Sequence, residues 1–344
     1  MTNQSQGKEP TMTEITSGPG VSVAAPAPKW SRERIVALLL DQSTLIVFVA
    51  MLLIAMLLTD RFYTYENFTN IMRQCVPLGV VSLGLLFVIL TGGIDLSVGS
   101  LMAIVSVVVA LSIPTFGLTG ALILGLLTGV FFGAISGVLV AYFRIAPFIA
   151  TLAVMTIARG AGLIISKGQP EFINDEGFND FGIASFLGLP TTVYVLLVCF
   201  AMALFLYRKT VFGRLVISIG SNEIATRFAG IRVERYKFGV YVISGFACAV
   251  AGIIASTRTG VGSPILAIGF ELDAIAAVVV GGASLSGGRG RVFNTIIGAL
   301  ILSVISNVMN LMNIPGYHQQ VVKGIIIVLA VLLESLKLRL SSRS

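Results

Sequence analysis

Apolar positions in this chain do not alternate with polar ones at the period of a half-buried strand. They run in long blocks broken by short polar or glycine-rich punctuation. Runs fall near 42–59, 76–92, 97–113, 117–143, 147–166, 190–207, 238–257, 272–287, 292–312 and 318–336. Each is on the scale needed to cross the ~30 Å hydrocarbon core of a bilayer. With no water there to satisfy the backbone, such runs must be helical. The pattern predicts an all-α polytopic membrane protein with about ten transmembrane helices, of which 272–287 is the shortest run.

Two boundaries between runs share a sequence. Gly92-Gly93-Ile94-Asp95-Leu96-Ser97-Val98-Gly99 returns 189 positions later as Gly281-Gly282-Ala283-Ser284-Leu285-Ser286-Gly287-Gly288, with five of eight positions identical. Applied to whole runs, this offset lays spans one to four over spans seven to ten. Six spans separate the blocks, so they share one orientation and predict an internal parallel repeat.

Glycine-rich backbone at membrane depth is costly unless protein or a water-filled cavity receives it. Gly92, Gly93, Asp95 and Ser97 are therefore candidates for a translocation pathway or gate. A carboxylate costs about 2.5–3.5 kcal/mol at mid-membrane, so a deep Asp95 needs partners, for which Ser97 and free backbone amides are at hand. Its alternatives are a structural helix cap or direct contact with the solute. Copy two has Ser284 in place of the carboxylate and runs into Arg289 and Arg291, which reads as a cytoplasmic turn.

A second candidate set follows from spacing. Ser303, Ser306, Asn307 and Asn310 recur at three- and four-residue intervals and share one helix face. Uncharged amides and hydroxyls suit a neutral polyhydroxylated solute; the competing role is hydrogen bonding between helices. Gly125, Gly129, Gly133 and Gly137 also lie on one face and predict a packing seam, with Gly245, Ala249 and Gly252 as a second.

Composition agrees with the pattern. Of 344 residues, 56% are hydrophobic and 11% charged, where a soluble domain carries about a quarter charged residues. Mean hydropathy is +0.96. Residues 1–40 read as a largely disordered cytoplasmic tail, poor in large apolar side chains over 1–29, ahead of a membrane domain at 41–338 and a cytoplasmic tail at 339–344. The net charge of +7 does not call for nucleic acid, because the basic residues are sorted by loop. With the N-terminus in the cytoplasm, sixteen Lys and Arg from Lys29 onward fall inside and four outside (Arg61, Arg73, Lys167 and Arg258). Both termini are then cytoplasmic, as for a multi-pass protein of the bacterial inner membrane.

The longest inner loop, 208–237, contains an ordered pattern. Ser221 or Asn222 can cap a helix, Glu223 favours its first turn, Ile224, Ala225, Phe228 and Ala229 give an apolar face, and Gly230 can end it. A short amphipathic helix in a cytoplasmic loop can enter a groove on a partner or lie on lipid headgroups. The net-acidic outer loop 167–189 reads as solvated surface or as a docking site for an external protein.

The run from Gly213-Arg214 through Ile217-Ser218-Ile219-Gly220-Ser221-Asn222-Glu223 to Ala229-Gly230-Ile231 resembles the cytoplasmic loop of ribose-type sugar permeases, the membrane subunits of ATP-binding-cassette importers. Leu90 to Ser100 and Val280 to Gly290 are similar to two further segments of that family, and the resemblance covers about residues 40–338. It implies a permease dimer, identical or heterodimeric, bound to cytoplasmic ATPase subunits and fed by an external solute-binding protein. Ser221, Asn222, Glu223, Ala225, Arg227 and Gly230 would form the contact with the ATPase, although Ile224 replaces the first Ala of the fuller Glu-Ala-Ala pattern.

No catalytic, metal-binding or cofactor pattern competes with this reading. The phosphate loop Gly-x-x-x-x-Gly-Lys-Ser/Thr is absent. Leu285-Ser286-Gly287-Gly288-Arg289 imitates an ATPase signature but leads into an apolar run. The single His318 has no ligand set around it, and Cys75, Cys199 and Cys248 sit in or beside apolar segments as small hydrophobes. The alternative is a secondary transporter using Asp95 as a proton or cation carrier. Which sugar is carried is not written in the sequence.

Overall fold

The computed structural model describes Thr2 and residues 43–341; the N-terminal tail lies outside the described residues. The chain runs through α1 (Ser43–Leu58), α2 (Tyr65–Leu90), α3 (Val98–Ala141), α4 (Pro147–Ile165), β1 (Glu171–Phe172), α5 (Glu176–Ile183), β2 (Ser185–Phe186), β3 (Leu189–Pro190), α6 (Thr191–Lys209), α7 (Val211–Ser221), α8 (Glu223–Phe228), α9 (Val233–Thr259), β4 (Val261–Gly262), α10 (Phe270–Val280), α11 (Val292–Leu311) and α12 (Gly316–Ser341). The strands are two-residue pairs in loops, β1 with β4 and β2 with β3, both antiparallel. The protein is predominantly helical, as the apolar runs predict.

Six of the described helices, α2, α3, α4, α6, α9 and α11, are long and apolar enough to cross a membrane. α3 is two helices in one. At 44 residues it would be about 66 Å long if straight, but Gly117 has φ 68° and ψ 176° and breaks it. Residues 98–116 and 118–141 fold back on each other, since a Cβ on Gly125 would strike Val109 and touch Val105. The apolar runs 97–113 and 117–143 are these two arms.

α2 occupies the centre. Every residue from Leu78 to Leu90 is buried, which is what a helix apolar on all sides requires. Thr64 starts it, its hydroxyl accepting from the Asn67 amide at 3.2 Å. α9 packs along the second arm of α3 through both predicted seams: added Cβ atoms on Gly129 and Gly133 would collide with Gly245 and Tyr241 backbone. Gly252 instead meets Met102 of the first arm. Without side chains, these backbones approach closely enough for dispersion to hold the helices together.

The run 272–287 is helical only to Val280; the remainder is a turn. Ahead of α10, residues 263–269 are non-helical, with Ala267 (φ 56°) and Gly269 (φ 79°) in left-handed conformations. This segment is received by protein: Ser263 N donates to Ser106 Oγ at 3.1 Å, and Arg159 Nη1 donates to the Pro264 and Leu266 carbonyls at 2.7 and 2.8 Å. At the other end of the chain, α12 runs on through residues 339–341.

Candidate functional site

The segment between α2 and α3 turns back into the helical body. α2 ends in a Schellman motif, with Gly92 (φ 75°) at its left-handed position and Gly93 N donating to Val88 O. The chain then climbs beside α9, where Tyr241 OH donates to the Ile94 carbonyl at 3.3 Å. Asp95, with no exposed surface, reaches Ser244, eleven residues into α9. That places the carboxylate about 16 Å along α9 from its start.

Both carboxylate oxygens of Asp95 are engaged. Oδ1 accepts from Ser97 N at 3.0 Å and Ser97 Oγ at 2.5 Å, while Oδ2 accepts from Ser244 Oγ at 2.8 Å. Ser97 is the N-cap position of α3, so Asp95 holds the start of α3 to the middle of α9. A group of this kind can be buried because its acceptor capacity is filled. Ser97 follows from local sequence, but Ser244 lies 149 residues away and no local pattern marks it.

The two glycine motifs meet. Gly288 N donates to Leu90 O at 2.9 Å, and a Cβ on Gly287 would lie 2.8 Å from Gly92 N. Gly220, in the last turn of α7, presses into the same point, where any Cβ would overlap Leu90 O and Gly288 N. Three backbones thus share one junction, next to the loop carrying α8. The helix-end motif itself recurs at Gly282, with Gly282 N bonding Val279 O and Ala283 N bonding Val278 O. These geometric equivalents, Gly92 and Gly282, are 190 positions apart, one more than the offset of the matching residues.

The short helix expected in the inner loop is α8. Asn222 caps it, Oδ1 accepting from Ala225 N at 2.9 Å, and Gly230 (φ 81°) follows its end. Its charges face α9: Glu223 pairs with Lys237 at 2.6 Å and Arg227 at 3.2 Å, and Arg227 pairs with Glu234 at 2.5 Å. Burial works to raise the Glu223 carboxyl, but hydrogen bonds and charge from Lys237 and then Arg227 hold it below the usual range. Lys237, Glu223, Arg227 and Glu234 line a 410 Å³ cavity with Arg144. Ile224 (70% exposed) and Phe228 (88%) point the other way. They are the apolar face seen in the sequence; of the charged residues marked for partner contact, Glu223 and Arg227 also pair with α9.

The polar face of α11 does not join Asp95. Ser303 Oγ donates to Ala299 O at 2.8 Å, Asn307 Nδ2 to Asn67 Oδ1 at 2.7 Å, and Asn310 Oδ1 accepts from Gln319 Nε2 at 2.8 Å. Asn67 starts α2 whereas Asp95 lies beyond its end, so the two candidate sets occupy opposite halves of the fold. Lys323 finds a partner in Asp273 at 2.6 Å, tying α12 to the first turn of α10. Among the described residues no group of three His, Cys, Asp or Glu could hold a metal ion.

Six helices apolar enough to cross a membrane, backbone re-entering the body at Asp95 and an amphipathic helix in the 208–237 loop set a frame against which relatives can be read. The family model "Branched-chain amino acid transport system / permease component" matches residues 67–331. The chain belongs to this permease family. It is 40% identical over 307 residues to the ribose import permease protein RbsC of Escherichia coli K12, covering 88% of this chain and 95% of that one. It is 42% identical to RbsC of Bacillus subtilis 168 (83% and 90% covered) and 39% to the L-arabinose transport system permease protein AraH of E. coli K12 (94% and 96%). No solved structure matches. The chain is a ribose-type permease of the ATP-binding-cassette kind, a multi-pass inner-membrane protein from a family of transporters rather than enzymes.

Proposed function

We propose that this chain is the membrane subunit of an ATP-driven importer for a sugar or sugar-like solute. It works by alternating access with an identical or related second permease, cytoplasmic ATPase subunits and an external solute-binding protein. The observation that carries this reading is α8: an inner helix held to α9 by ion pairs while Ile224 and Phe228 stand exposed. Two large apolar side chains on so short a helix need a partner.

Movement of α8 reaches the membrane by two routes. Through Lys237 and Glu234 it acts on α9, which carries Ser244 to Asp95. Through Gly220 it acts on the Leu90 and Gly288 junction. Asp95 is then a gate element that keeps α3 and α9 in step, and Gly92, Gly93 and Ser97 shape the bend it sits on. Ten crossings follow if α1, α10, α12 and both arms of α3 are counted with the other five long helices. The basic residues orient both termini to the cytoplasm. The two Schellman turns support duplication of a helix pair.

Ribose and L-arabinose, named for the relatives, are the first solutes to try. Uptake of labelled pentose should depend on this chain and be competed by unlabelled substrate but not by a branched-chain amino acid. Competition by leucine and not by any sugar would overturn the substrate class. Ion-coupled transport through Asp95 is the weaker reading, because Ser97 and Ser244 already occupy both of its oxygens.

A further inference from the structure

A second polar site lies on the outer side, apart from Asp95 and from α8. A cavity of 290 Å³ opens between α2, α5, α6 and α9, lined among others by Arg73, Arg258 and Thr192. Its apolar walls come from Pro77, Ile254 and Leu266. No Asp or Glu lines it, so two guanidinium groups share a small space with no countercharge and repel each other.

The polar groups there are incompletely used. Arg73 is held by one end, its Nη2 donating to the Ile183 carbonyl at 2.6 Å and to Ser185 Oγ at 3.2 Å. Its Nε is buried and has no hydrogen-bond partner. Arg258 makes a long contact to Asn70 Oδ1 at 3.4 Å. Thr192 is 3% exposed, and its Oγ1 is buried with no partner. Thr192 also sits in the first turn of α6, where unpaired amides and the helix dipole favour negative charge. Buried unpartnered donors such as Arg73 Nε and Thr192 Oγ1 are costly, and the like charges of Arg73 and the exposed Arg258 repel beside them. A ligand offering several acceptors and a negative charge would remove each cost at once.

We propose that this cavity is an oxyanion-binding site, taking a phosphate or carboxylate group between Arg73, Arg258 and Thr192. The planar guanidinium forks match such groups, where an ammonium would not. Two sources carry this chemistry: a soluble anionic solute approaching from outside, or the headgroup of an anionic lipid in the outer leaflet. The site is independent of the transport reading, which would stand if it failed.

The test uses the purified full-length chain in nanodiscs of phosphatidylcholine, titrated with radiolabelled inorganic phosphate. Saturable binding is expected. Arg258→Gln should weaken it about tenfold or more, the loss for a hydrogen bond to a charged group, and Thr192→Val about three- to tenfold, the loss for an ordinary one. Thr192→Val preserves shape and guards against a folding defect in the arginine variant. Arg61→Gln, outside the cavity, should bind as the wild type does. Nanodiscs containing phosphatidylglycerol separate the sources. Phosphate binding that persists there marks a soluble ligand; loss of it, with phosphatidylglycerol retained by the wild type and not by Arg258→Gln, marks a lipid. Absence of binding of both anions, or equal binding by wild type and both variants, would overturn the proposal.

Discussion

The amide of Gly288 donates to the carbonyl of Leu90 at 2.9 Å, joining the end of the central helix α2 to the turn that opens α11. Gly220 of α7 closes on the same pair of atoms. Two glycine-rich segments that look alike in sequence are therefore parts of one contact, and the third part is the helix leading to α8. Under the proposed coupling, a push on the loop carrying α8 would reach two membrane segments through backbone, which gives far less than side chains do.

Gly220→Ala tests this junction. In an isolated helix the change would stabilise by about 1 kcal/mol. Here the methyl group has no room, and overpacking should destabilise by about 1–3 kcal/mol, read as a lower melting temperature in detergent together with reduced uptake. Gly160→Ala, on α4 with nothing within 4 Å of its added Cβ, should be neutral or slightly stabilising.

Asp95→Ala should be far worse than Ser244→Ala. The first leaves the Ser97 amide, the Ser97 hydroxyl and the Ser244 hydroxyl without their acceptor, at about 1–3 kcal/mol for each buried group left unpaired. The second leaves only Oδ2 without its donor while Oδ1 keeps both from Ser97, at about 1–3 kcal/mol for the one group. Thermal unfolding of both variants, with uptake measured alongside, gives the ordering.

Ile224→Ser with Phe228→Ser should leave the fold within about 0.5 kcal/mol of the wild type, as surface changes usually do. Co-purification of the ATPase subunits with the tagged permease should fall sharply. Retained ATPase binding in the double variant would move the docking surface elsewhere.

The tie between α8 and α9 should depend on pH in one direction. The Glu223 carboxyl is held below its ordinary value of 4.5, so its contribution is complete above that value and is lost as pH falls through the lower, folded one. Protection factors of the α8 amides, corrected for the intrinsic pH dependence of exchange, should stay flat from neutral pH down to 4.5 and fall below it. Glu223→Gln should shrink the step to the part carried by Glu234, whose carboxyl is also held low by its hydrogen bonds, including one from Arg227.

Much of this was legible in the chain because membrane segments announce themselves by length and apolarity. α8 was readable to within a residue, since Asn222, Glu223 and Gly230 are local capping signals. The packing seam was readable from four-residue glycine spacing. Contacts distant in sequence were not: Ser244 on Asp95, Asn67 on Asn307 and Gly220 on Leu90 join helices whose order in space no local period encodes. The break at Val280 was hidden because a glycine-containing turn among apolar residues has the hydropathy of a helix. The sequence shows the charge of Glu223 and Arg227 but not that Lys237 and Glu234 pair with it across to α9.

The energy source tests the central claim most directly. Proteoliposomes holding the permease with its ATPase subunits, given binding protein and labelled pentose on the external side, should accumulate sugar when ATP is on the ATPase side and ionophores have collapsed every ion gradient. Uptake that ignores ATP and stops with the ionophores would contradict the account.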